Sequence, residues 1–157
     1  MSVTYTTMSS PVGELLLSAG EGRLSGLFLP AEQHEPPAGA IRDGAAFAAV
    51  RRQLEEYFAG ERAVFDLPLA PVGTPFRQRV WEELRRIGYG ETISYAELAS
   101  RIGRPTAIRA AGAANGANPV SIVIPCHRVV GSSGALTGYS GGLEAKRFLI
   151  ELERAAG

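Results

Sequence analysis

The stretch from Thr74 to Gly116 is punctuated for three short helices, and this restricts the fold more than any other feature. Thr74-Pro75 supplies an N-cap followed by proline at the first helical position. Phe76, Val80, Trp81, Leu84 and Ile87 then recur at helical spacing, until Gly88 and Gly90 end the run. A second start lies at Ser94, with Glu97 three residues on as in a capping box, and this helix ends at Gly103. "PTAIRAAGAAN", from Pro105, supplies the third helix and closes at Asn115-Gly116. Two short helices joined by a tight glycine-containing turn predict a helix-turn-helix. The second of this pair has little side-chain bulk, because Ala110, Ala111, Gly112, Ala113 and Ala114 are all small. Helices that read base edges carry Arg, Lys, Asn or Gln toward them. Here Arg109 is the single long basic residue. A slim helix can approach a duplex closely, with Arg109 acting on the base stack. It can equally pack against neighbours, with Arg109 in solvent.

The first 70 residues have a different character. "VTYTTM", "GELLLSAG" and "RLSGLFL" are short apolar or β-branched runs separated by Gly, Pro and Ser, and read as strands. "AEQHEPPAGA" reads as a loop with His34 in solvent. From Ala45 to Phe58 the apolar residues Phe47, Val50, Leu54, Tyr57 and Phe58 take up helical spacing, stopped by Gly60. "AVFDLPLAPVG" reads as a last extended piece and a linker, which puts a domain boundary near residue 70. Charge divides at the same place. Residues 1–70 carry 5 Arg against 9 Asp and Glu, whereas 71–157 carry 10 Arg and 1 Lys against 7 Glu. The net charge of zero thus hides a basic second half, a weak pointer to nucleic acid. The start has neither a basic segment nor an apolar run, so no signal peptide is expected. No stretch has the roughly 18 apolar residues of a membrane span. A single cysteine forms no intrachain disulfide, so a reducing, cytoplasmic setting is the expectation.

That cysteine stands in "IPCHRV", residues 124–129, beside one of only two histidines. A lone cysteine is commonly a buried hydrophobe. A free thiol is only slightly ionised at neutral pH, and an imidazole within reach changes that by accepting the proton. Pro125 removes a backbone donor and sets an extended or turned path, so Cys126 and His127 need not lie on a helix, and the glycines of "GSSGALTGYSGG" let a loop close around a ligand. Upstream, "SIVI" reads as a short strand. Downstream, a last amphipathic helix is expected to bury Leu143, Phe148, Leu149 and Leu152, leaving Glu153 as a surface carboxylate. A zinc site fails for want of ligands, and no phosphate-binding loop of the G-x-x-x-x-G-K-[ST] form exists.

"IPCHRV", "GETISYAELASRIGRP", "IRAAGAANGANPV" and "GALTGYSGGLEAKRFLIELE" together resemble the O6-alkylguanine-DNA alkyltransferase family, also called methylated-DNA–protein-cysteine methyltransferases. The similarity is close from about Thr74 to Glu153. It is looser in residues 1–70, where "SPVGELLLSA" and "LEEYFAGE" resemble the N-terminal domain of bacterial members.

The resemblance implies a ribonuclease H-like α/β domain over 1–70, a small sheet with a helix. A mainly α, winged helix-turn-helix domain follows over 71–157. It implies single-turnover transfer of an alkyl group, chiefly methyl, from O6 of guanine, with O4 of thymine as a further candidate, to Cys126, without a cofactor or metal. By the same resemblance His127 takes the thiol proton through a water and Glu153 holds the ring, while Asn118 braces the site. Tyr95 rotates the target phosphate and donates to the leaving purine, and Arg109 fills the gap left by the flipped nucleotide. Ser94, Ala110, Asn115 and Gly116 join Tyr95 and Arg109 as DNA contacts. Val129, Thr137, Tyr139 and Ser140 line the base pocket. The implied partner is double-stranded DNA carrying O6-alkylguanine, approached by a monomer through the minor groove. Two departures stand out. The chain lacks the cysteines of the zinc site that some members carry. Ala117 stands where some relatives have a larger polar or basic residue. Two other readings compete: a lesion sensor or helix-turn-helix regulator with a structural Cys126, and a cysteine hydrolase.

Overall fold

The structure, a computed structural model, describes residues 3–156. Its first part is a four-stranded sheet in the order β3-β2-β1-β4. Strands β1 (Val3–Met8), β2 (Leu15–Gly20) and β3 (Arg23–Phe28) form an antiparallel meander, and β4 (Ile41–Arg42) pairs parallel to β1. Alternation sends Thr6 and Met8 of β1 and Leu15 and Leu17 of β2 inward. Helix α1 (Ala48–Phe58) buries Val50, Leu54 and Tyr57, one stripe at helical spacing. A 3-10 turn at Gly44–Phe47 leads into it, so the regular helix begins three residues later than its apolar pattern suggests. His34 is exposed as expected, but its ring is stacked on Phe28 with centroids 3.6 Å apart.

The second part is helical. Helix α2 (Pro75–Leu84) starts as its sequence dictates, with the Thr74 hydroxyl accepting from the Arg77 amide. Helix α3 (Tyr95–Arg101) is capped by Ser94, whose hydroxyl accepts from the Glu97 amide. The reciprocal half of the expected capping box does not form. Glu97 instead takes two hydrogen bonds from Arg101, one turn on, where an ion pair is available. Helix α4 (Ile108–Gly116) begins three residues beyond Pro105, because Arg104–Ala107 closes a turn first. Trp81 fixes α2 against α4, its indole donating to the Ala114 carbonyl at 2.8 Å. A two-stranded parallel ribbon, β5 (Ile93–Ser94) with β6 (Val129–Val130), precedes the last helix, α5 (Leu143–Ala156).

The outer edge of β3 joins the two parts. Leu24 bonds to Pro68 and Ala70, which places the expected extended piece beside the sheet. Leu27 donates to the Pro119 carbonyl and accepts from the Ser121 amide, so the segment leading to the cysteine is tied to the same strand. This segment corrects one expectation. "SIVI" is a buried turn and not a strand. Ile122 has φ +72° and the Val123 amide donates to the Ser121 carbonyl, a γ-turn of the rare, strained hand. Asn118 holds it at both ends, accepting from the Val120 amide and donating to the Ile124 carbonyl. Pro125 (φ −82°, ψ 65°) makes a second, inverse γ-turn, with the Cys126 amide donating to Ile124.

The expected buried face of α5 is also corrected. Leu143 is 49% exposed and Phe148 37%, whereas the buried positions are Lys146, Leu149, Ile150 and Glu153. Two of those four are charged. Hydropathy alone would never turn that stripe inward; the partners waiting for it do.

Candidate active site

Every residue from Ser121 to Val130 is buried, and Cys126 opens a 3-10 turn, Cys126–Arg128, at the centre of this run. Arg128 in such a place requires a buried counter-charge. Glu153 of α5 supplies it. Its carboxylate accepts from Arg128 Nε at 2.8 Å and Nη2 at 3.0 Å, and from Tyr57 Oη at 2.6 Å. The Gly90 amide adds a contact at 3.3 Å, and His127 Nε2 lies 2.7 Å away. Arg128 also donates to the Ile87 carbonyl at 2.6 Å. Burial pushes the Glu153 pKa up, but the hydrogen bond from His127 and the bonds and charge of Arg128 outweigh it, holding it at about 2. Burial lowers the His127 pKa and Glu153 only partly restores it, so the ring is neutral at neutral pH. Its Nδ1 is buried and has no protein partner. A neutral ring with one nitrogen fixed by a carboxylate and the other free is a proton acceptor in waiting.

Cys126 is 2% exposed, and burial pushes its thiol up to about 11, with Asn118 the leading group on the opposing side. Polar groups nevertheless lie near it: Asn118 and Lys146 favour the thiolate and Glu32 opposes it, while the Tyr139 hydroxyl is buried without a hydrogen-bond partner. At rest, therefore, Cys126 is a protonated, buried thiol that packs with the hydrophobic core.

The loop from Gly131 to Gly142 brings Tyr139 beside the thiol. Tyr95, at the start of α3, donates to the carbonyls of Thr137 at 3.1 Å and Gly138 at 3.4 Å. Lys146 donates to the Thr137 carbonyl at 2.8 Å and lies 5.8 Å from the Tyr95 ring centroid. Burial lowers the Lys146 pKa to about 8. Val129 is fully buried in β6, paired with Ile93. Thr137 and Ser140 are exposed on the loop.

On α4, Arg109, Ala110, Ala113 and Gly116 share an exposed, nearly smooth face, while Ala111, Ala114 and Asn115 are buried. Asn115, grouped with the DNA contacts by resemblance, has a different visible role: its amide donates to the Cys126 carbonyl at 3.3 Å. Ser94 is partly buried and engaged as the cap of α3. Cys126, His127, Asn118, Glu153 and Tyr139 thus converge at one place, and Arg109 stands apart on the outer helix face.

Four participants escaped the sequence reading. Tyr57 and Glu32 come from the first part of the chain, where the resemblance is looser and assigns no site roles, although Tyr57 itself lies in "LEEYFAGE". Lys146 and Arg128 carried a usable signal: each is a charge among positions that must be buried, which demands a partner. Among the described residues no helix is long and apolar enough to cross a membrane, and no cluster of three or more His, Cys, Asp or Glu is placed to hold a metal ion.

Comparison with known proteins places this arrangement. Residues 3–71 match the ribonuclease-like domain of 6-O-methylguanine DNA methyltransferase, and residues 75–155 match its DNA binding domain. The constitutive methylated-DNA–protein-cysteine methyltransferase of Bacillus subtilis is 46% identical over 156 residues, covering 96% of this chain and 94% of its own. The Methanosarcina barkeri protein of that name is 50% identical, covering 95% and 96%. The crystal structure of Mycobacterium tuberculosis OGT in complex with DNA superposes with a TM-score of 0.92 at 48% identity, covering 98% of this chain and 94% of that one.

Proposed function

The chain belongs to the 6-O-methylguanine DNA methyltransferase family and repairs alkylated DNA by transferring the alkyl group to a protein cysteine; from that premise we propose that the cysteine is Cys126, acting once. The observation that carries this assignment is the pair that adjoins the thiol in the chain: a neutral His127 with a free Nδ1, held by an ionised Glu153.

The substrate is O6-alkylguanine in double-stranded DNA, approached by a monomer from the minor groove on the smooth face of α4. The O6 atom lies within the base pair, so the nucleotide must leave the stack. An alkylated guanine pairs poorly, which lowers a cost of a few kcal/mol. Arg109 enters the gap. The everted base displaces the loop from Tyr95 and meets the main chain of Cys126 and Val129, with Thr137, Tyr139 and Ser140 around it. The thiol proton passes through a water to His127 Nδ1, and Glu153 stabilises the imidazolium. The sulfur attacks the alkyl carbon, an S–C bond forms, and the C–O6 bond breaks with its electron pair going to the guanine oxygen. The Tyr95 hydroxyl, freed from the Thr137 and Gly138 carbonyls, donates to the purine as that charge develops. The thioether has no easy return path, and no cofactor enters the balance. A cytoplasmic, reducing setting keeps the thiol available.

Mass spectrometry after mixing with duplex DNA containing O6-methylguanine tests the assignment. One added methyl on the Cys126 peptide, at one per protein, is expected. An unmodified peptide with tight binding would establish a lesion sensor instead, and recovery of the thiol with repeated turnover of an ester would establish a hydrolase. Arg109→Ala is expected to slow repair of duplex DNA by about tenfold or more, the scale of one lost stacking or charge contact. Transfer from the free alkylated base should change little. Equal losses on both substrates would remove Arg109 from the flipping step.

A further inference from the structure

The Gly131–Gly142 loop, which carries Tyr139 next to Cys126, is held on one side by its Tyr95 and Lys146 contacts. Its other end is held by the first domain. Glu32 closes the 3-10 turn Pro30–Glu32 between β3 and β4, and its two carboxylate oxygens are used differently. Oε1 is anchored, accepting from the Leu29 amide at 3.0 Å and from the Ser121 hydroxyl at 3.1 Å. Oε2 accepts from the Ser140 hydroxyl at 3.1 Å. Ser121 is fully buried and Ser140 is exposed on the loop, so the carboxylate joins the buried cysteine segment to the exposed loop.

Packing at the same place is tight. A Cβ on Gly141 would lie 2.7 Å from the Tyr139 ring and 3.0 Å from Leu29, the residue before the turn. A Cβ on Gly142, at φ +97°, would come into van der Waals contact with Ala31 at 3.7 Å. The end of the loop that carries Tyr139 and Ser140 is therefore shaped to the Leu29–Glu32 turn.

We propose that Glu32 is a positioning residue for alkyl transfer: from the first domain it holds Ser140, and through it the wall of the base pocket, in place over Cys126. The carboxylate accepts from Ser121 and Ser140 at once, so the closed pose of the loop is registered to the cysteine segment itself. This gives the first domain a part in the reaction beyond scaffolding. The inference rests on Cys126 being the reacting thiol, but it concerns access to that thiol, which can be read without any alkyl transfer.

The test measures how fast Cys126, the chain's single thiol, reacts with a small aromatic disulfide in the folded, DNA-free protein. Glu32→Ala and Ser140→Ala are each expected to speed the reaction about tenfold, the scale of one charge-assisted hydrogen bond. The double variant should be no faster than Glu32→Ala. Glu32→Gln removes the negative charge beside the sulfur but keeps an amide that can accept from Leu29 and Ser121 and donate to Ser140. It should react within about twofold of wild type. Acceleration of Glu32→Gln equal to that of Glu32→Ala would assign the effect to charge on the thiol and overturn the proposal. So would wild-type rates in Glu32→Ala and Ser140→Ala. Should Glu32→Ala fail to fold, Ser140→Ala decides, because its side chain is exposed. Failure of the methyl-transfer assay would leave these rates unaffected, so the two readings fall separately.

Discussion

Cys126→Ser is expected to abolish alkyl transfer while leaving the protein folded and bound to DNA. The loss should be at least on the order of a thousandfold, the scale seen when a covalent nucleophile is removed. The reason is chemical. A thiol pushed to about 11 by burial is still within reach of the His127–Glu153 pair once a base has entered, whereas a serine hydroxyl lies several further units away. The fold should tolerate the change, because the new hydroxyl faces Asn118 and the partnerless Tyr139 hydroxyl. Binding by the serine variant, measured on duplexes with and without O6-methylguanine, should retain the preference for the lesion, since none of the proposed base contacts is lost. A serine variant that still removed methyl groups would transfer the chemistry to another residue.

Glu153→Ala is expected to unsettle the whole centre. The substitution leaves a buried guanidinium without its carboxylate and orphans the Tyr57 hydroxyl and His127 Nε2. Breaking a buried ion pair from one side costs about 3–5 kcal/mol, a large part of the stability of an ordinary domain. Urea unfolding should show the midpoint falling by that equivalent. A variant within about 1 kcal/mol of wild type would mean that Arg128 finds water instead. The acid limb of wild-type stability has the same origin. Glu153 ionises at about 2 in the folded protein against 4.5 for the ordinary carboxyl. A depressed carboxylate contributes fully above the unfolded value, and its contribution disappears as pH falls from about 4.5 through about 2. In Glu153→Ala that part of the acid dependence should be missing.

Tyr57 adds a structural reason for the first domain to be present at all. Its hydroxyl, delivered by α1, closes the carboxylate that orients His127, and Glu32 meets the loop at Ser140. The two contacts span 96 and 108 residues of sequence, so neither leaves a local trace in the chain.

By itself the sequence determined what is local. The helix starts at Thr74 and Ser94, the strands of the first part, the slim α4 and the Cys-His pair are all written in short-range spacing and side-chain chemistry. It failed where a partner far along the chain changed the meaning of a residue. "SIVI" has the composition of a strand, yet Asn118 ties its ends into a turn with Ile122 left-handed. Leu143 and Phe148 look like the buried stripe of α5, yet the helix turns Lys146 and Glu153 inward because Thr137, Arg128, His127 and Tyr57 are there to receive them. Tertiary structure alone decided which charges are buried and whether the thiol is open or shut. The cost of burying a charge depends on partners in three dimensions, and those partners have no fixed separation in sequence.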